Sequence, residues 1–131
     1  MALELQELLG DCPETGLELL AGSDGLSHRI TWVHVLESTM LSDYLGGDEL
    51  ILTTGVALHD DADLLSYVRA LYAKGVAGVA IDTGHYIAEI PETVTTYCEE
   101  HAFPLFAIPR DVPFESIVRP LCRRLIDEET H

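Results

Sequence analysis

Four short stretches carry the side chains best suited to chemistry: His34-Val35-Leu36-Glu37-Ser38, Thr53-Thr54-Gly55, Asp82-Thr83-Gly84 and Pro109-Arg110-Asp111. Carboxylates and an imidazole exchange protons, hydroxyls donate and accept hydrogen bonds, and a guanidinium grips oxyanions. Each stretch follows an apolar run, and Gly55 and Gly84 would permit positive φ or close approach of the backbone to a ligand. His34, Glu37, Thr53, Thr54, Gly55, Asp82, Thr83, Gly84 and Arg110 are therefore the candidate ligand-binding set. The same residue types also serve a protein that binds nothing, because strands end in turns and Ser or Thr hydroxyls satisfy helix amides.

Catalytic signatures are missing. There is no Gly-x-Ser-x-Gly, no phosphate-binding Gly-x-x-x-x-Gly-Lys-Ser/Thr and no Gly-x-Gly-x-x-Gly. An acid–base site built from His34, Glu37 and Asp82 is permitted but not indicated, so no enzyme, cofactor or catalytic residue is assigned. The six histidines form no metal motif. Acids of His59-Asp60-Asp61-Ala62-Asp63 fit the first turn of a helix, where the macrodipole favours them without an ion.

Positioning those stretches falls to elements that hydropathy outlines. Residues 3–9 suit a short helix ended by Gly10, and 17–22 lead through Ser23-Asp24-Gly25 to the β-branched, aromatic run 29–35, a pair compatible with an antiparallel edge hairpin. Ser38 or Thr39 can cap two helical turns that Gly46-Gly47 terminates. The stretch GGDELILTTG contains a continuous aliphatic run, the mark of a buried strand. Helix from Asp60 to Gly75, strand 76–82, helix from Pro91 to about Ala102, strand PLFAIP and a helix from Pro113 follow, Pro120 within the last implying a kink or a late start. This alternation predicts an α/β fold: one three-layer domain over 1–131 whose open, mostly parallel sheet is flanked by helices. In such sheets ligands bind beyond the carboxyl ends of the strands, where all four polar stretches would meet.

Charge narrows the partners. With 131 residues, 47% of them hydrophobic, the chain can bury a core unaided, and its 7 Lys+Arg against 23 Asp+Glu give a net charge of −16. That charge repels a phosphate backbone, so direct nucleic-acid binding is not expected. Arg110, Arg119, Arg123 and Arg124 are the only basic concentration. No run of eighteen apolar residues and no signal-peptide pattern occurs, which predicts a cytoplasmic chain without a membrane role. Cys12, Cys98 and Cys122 are odd in number and widely spaced, as buried free thiols are, with Cys122 beside Arg123 and Arg124 the one candidate for reactivity.

Taken together, TWVHVLEST, LGGDELILTTGVAL, GVAGVAIDTG, IPETV and FPLFAIPRDVPFESI, in that order, resemble the N-terminal domain of PucR-type (purine catabolism regulator-like) transcriptional regulators, over about Leu5 to Leu125. The resemblance implies a regulatory domain of a bacterial transcription factor that senses a small-molecule metabolite, a purine or related compound being the leading guess. It implies DNA binding through a C-terminal helix-turn-helix, and no such pattern follows Leu125, as in an excised sensory domain or a stand-alone homologue. A homodimer is expected, with Ile117, Leu121 and Leu125 as its apolar face. The alternatives are a protein-interaction module without a ligand and, behind it, a small hydrolase or lyase.

Overall fold

The computed structural model describes residues 3–129. Its elements are β1 (Leu3–Glu4), α1 (Leu5–Asp11), β2 (Glu18–Ala21), β3 (Arg29–Ile30), β4 (Trp32–Val35), β5 (Glu49–Thr53), α2 (Asp61–Ala73), β6 (Gly78–Asp82), α3 (Glu92–Glu100), β7 (Leu105–Ile108) and α4 (Glu115–Glu129). A five-stranded sheet runs in the order β2-β7-β6-β5-β4, and β1 pairs β3 in a separate two-stranded ladder. β4, β5, β6 and β7 are mutually parallel, whereas β2 joins β7 antiparallel. The α/β class and the mostly parallel sheet are thus as the sequence predicts.

The continuous aliphatic runs in β5, β6 and β7 are explained by burial on both faces. Leu50, Leu52, Ala80, Phe106 and Ile108 point to a layer formed by Leu5 and Leu8 of α1 and Ile117, Leu121 and Leu125 of α4. By the two-residue period, Ile51, Val79, Ile81 and Leu105 point the other way, to Leu64, Val68 and Leu71 of α2 and Val94 and Cys98 of α3. Each fully buried Leu or Ile contributes about 1.5–3 kcal/mol relative to exposure. Helix starts follow local chemistry: the Asp60 side chain accepts from the Asp63 amide at 2.8 Å, and Asp63 accepts from the His59 amide at 3.0 Å. Those acids are occupied in capping α2.

Four expectations change. The run 17–22 does not form a hairpin with 29–35: β2 lies at one edge of the sheet and β4 at the other. Between them the chain passes against the backbone of residues 102–104, where a Cβ on Gly22 would lie 2.1 Å from the Phe103 carbonyl oxygen, so a glycine is required. α1 runs through Gly10 to Asp11, because the effective stop is Pro13, which disfavours helical backbone at the preceding Cys12 (φ −129°). Ser38–Leu45 forms a 3-10 helix, Thr39–Tyr44, instead of an α-helix. Finally, Ile117, Leu121 and Leu125 face the core, fully or almost fully buried, and cannot also face a partner. α4 itself continues through Pro120.

Candidate ligand crevice at the carboxyl edge of the sheet

Because β4 to β7 are parallel, their carboxyl ends share one edge of the sheet, but they do not share one pocket. The chain leaves β6 toward α3 on one face and leaves β7 toward α4 on the other. Two neighbouring strands whose exits diverge leave a gap between them, the geometry in which open α/β sheets take ligands. A cavity of about 420 Å³ lies there, lined by Thr54, Asp82, His85, Tyr86 and the segment from Arg110 to Phe114.

Asp82 is the buried acid of this crevice. Its Oδ2 is 2.8 Å from His85 Nδ1, and Oδ1 has no hydrogen-bond partner among the described residues. Arg110 stands at the rim and makes no ion pair with a described residue, although the chain holds 23 acids. Its aliphatic stem packs on Gly84, where a Cβ would lie 2.9 Å from Arg110 Cβ. Tyr86, well exposed, and the half-buried Phe114 add aromatic surface. The combination offers a free carboxylate oxygen, a free guanidinium and an aromatic wall, which suits a small polar, partly planar molecule.

The Thr-Thr-Gly ending serves a different purpose. Glu37 folds over the end of β5 and its Oε1 accepts from the Thr53 hydroxyl and, at 3.0 Å, from the Thr54 amide; its Oε2 accepts from the Thr54 hydroxyl at 2.5 Å. Thr53 Oγ1 in turn accepts from the Gly55 amide at 3.1 Å. Behind them Tyr67 donates its phenol to the Leu36 carbonyl, and burial pushes that phenol well above its ordinary range. Gly55 has φ +79°, and Ile87 packs so close that a Cβ would lie 2.3 Å from Ile87 Cδ1. Thr83 clamps β6 to β7, its amide and hydroxyl both donating to the Ile108 carbonyl at 3.0 and 3.2 Å.

Of the nine candidates, Thr54, Asp82 and Arg110 line the crevice, with Gly84 beneath Arg110 and Thr83 behind it. Glu37, Thr53 and Gly55 form the neighbouring clamp, and His34 lies exposed on the outermost strand, two strands from β6. The four polar stretches expected to meet at one site are therefore divided, because the Thr53 and Thr54 hydroxyls and the Glu37 carboxylate satisfy one another. His85, Tyr86 and Phe114 were not nominated; the only signal for them was the change of helix layer after β7, which pairwise spacing does not carry. The three thiols are free and buried, and burial raises each; Cys98 is pushed up to about 12, and Cys122 is not a thiolate. Among the described residues no group of three or more His, Cys, Asp or Glu is placed to hold a metal, and no helix is long and apolar enough to cross a membrane.

Comparison with known proteins converges on one family. The chain is 28% identical over 110 residues to the purine catabolism regulatory protein of Bacillus subtilis (strain 168), covering 83% of this chain and 21% of that protein. It is 23% identical over 116 residues to the transcriptional activator PmfR of Paenarthrobacter nicotinovorans, covering 88% of this chain and 25% of the relative. The chain thus spans about a fifth to a quarter of the length of these curated relatives, both of which are named as regulators and not as enzymes. The family model matches residues 7–125, from α1 to the buried Leu125 of α4, so the chain belongs to the purine catabolism regulatory protein-like (PucR) family.

Proposed function

We propose that this chain is the effector-sensing domain of a bacterial transcription regulator, with a small polar metabolite seated between the carboxyl ends of β6 and β7. The observation that carries the reading is Asp82: a buried carboxylate with one unpartnered oxygen, in a crevice whose rim holds an Arg110 without an ion pair. Its Oδ1 is open to solvent at the crevice, so a ligand that donates to it exchanges water for a fixed, charge-assisted hydrogen bond. The name of the Bacillus subtilis relative supports starting with purines and their breakdown products. Regulation follows if the ligand binds one conformational or oligomeric state better than another. DNA contact belongs to a part of the regulator outside this chain, since a net charge of −16 opposes phosphate binding.

A thermal-shift panel of purines, ureides, amino acids and sugar acids tests this. A ligand at 100 times its Kd stabilises the fold by about 2.7 kcal/mol. Asp82→Asn and Arg110→Gln should each abolish the shift while the unliganded Tm stays close to wild type. A saturable shift that both variants retain removes the ligand from this crevice. Turnover of the compound during the assay would instead support a catalytic site.

A further inference from the structure

The two edges of the main sheet are built differently. β2 begins with the exposed Glu18 and has a register shift between Leu19 and Ala21. Charge and bulging are the devices by which proteins keep a sheet edge from pairing with another chain. β4 has neither: its four residues hold regular register with β5, and Arg29–Leu36 contains no acid in a chain with 23. Val35 on this strand is 49% exposed, and the segment that leaves it exposes Met40 (89%) and Tyr44 (86%).

The helix over this edge continues the pattern. Cys122 of α4 lies at the backbone of Val33 in β4. On the same flank of α4 a groove of about 460 Å³ runs past Val118, Cys122 and Ile126, the last 48% exposed. Its charged lining is balanced, Glu115 and Asp127 against Arg119 and Arg123. An acid-free strand beside a helix flank whose charges balance makes one strip without net charge on a molecule of net charge −16.

We propose that this strip is a two-fold interface with a second copy of the chain, in which β4 pairs antiparallel with its symmetry mate and α4 packs along α4. Charge selects the occupant. A basic partner is attracted to an acidic surface anywhere and needs no neutral strip, whereas a partner with the same charge can approach closely only where acids are absent or balanced by bases. A two-fold axis at β4 is isologous, doubles the five-stranded sheet and removes its unprotected edge. The interface does not depend on the ligand reading, because the crevice lies between β6 and β7, away from β4.

Light scattering and sedimentation of the 131-residue chain (14.4 kDa) test the interface. Twice the monomer mass is expected, with association tightening as salt screens the shared charge. Val35→Lys and Ile126→Glu should each weaken association by at least roughly tenfold, about 1.4 kcal/mol. Tyr72→Lys, on the exposed side of α2 against the opposite face of the sheet, should leave it intact. Hydrogen exchange on the wild type gives a reading free of folding defects: β4 amides should gain protection as concentration rises. A wild-type chain of single mass at millimolar concentration overturns the proposal. So does a dimer that survives both edge variants or breaks with Tyr72→Lys, or β4 exchange independent of concentration.

Discussion

Thr53→Val isolates the clamp at the end of β5, because it removes one hydroxyl at nearly constant shape in a side chain with no exposed surface. That hydroxyl donates to the Glu37 carboxylate and accepts from the Gly55 amide. A hydrogen bond to a charged group contributes about 1.5–3 kcal/mol, and leaving a buried amide unsatisfied costs about 1–3 kcal/mol. Both losses fall on one variant, so a destabilisation of about 3 kcal/mol is expected, the two terms overlapping because they share one oxygen. Thr54→Val provides the internal comparison. Its hydroxyl also reaches Glu37 and accepts from the Val56 amide, but this residue is half-exposed and water can replace the protein partners, so about 1 kcal/mol is expected. Urea denaturation at neutral pH reads both as shifts in midpoint with unchanged m. If Thr53→Val lies within about 0.5 kcal/mol of wild type, the level of an ordinary surface change, or if Thr54→Val costs more than Thr53→Val, the clamp is not what holds this strand end.

Gly55→Val should destabilise the fold outright, since positive φ and the contact with Ile87 both oppose a Cβ; a loss of about 3 kcal/mol or more in urea midpoint is expected, and a near-wild-type midpoint would refute it. Cys98 supplies a pH dependence. Its thiol is raised from 9.0 to about 12 by burial, so its stabilisation is complete below pH 9 and is lost as pH climbs toward 12, at about 1.4 kcal/mol per pH unit. The stability gap between wild type and Cys98→Val should therefore narrow between pH 9 and 10, and a constant gap would contradict the burial argument. Asp82→Asn should leave the stability of the unliganded chain close to wild type while abolishing ligand-induced stabilisation, because Oδ1 reaches solvent and only the contact with His85 is altered; a large drop in unliganded midpoint would make Asp82 a structural group.

How much of this was legible in the sequence depends on the range of the physics involved. Continuous aliphatic runs at 49–53, 78–82 and 105–108 specify strands buried on both faces, and the alternation of these runs with helices specifies a parallel sheet, since a parallel neighbour demands a crossover. Asp60 and Gly75 mark the ends of α2 through caps that act within one turn. Family membership was readable too, because local motifs preserve order and spacing. Partner choice was not local. Whether 17–22 pairs with 29–35 or with 105–108 is decided by where the chain packs after Gly22, a contact with residues eighty positions away. Glu37 looks equally suited to a ligand and to a clamp until the end of β5 stands beside it. The crevice arises from the divergence of the chain after β6 and β7, so Asp82 and Arg110, twenty-eight residues apart, acquire their shared function only when two adjacent strands send their helices to opposite faces of the sheet.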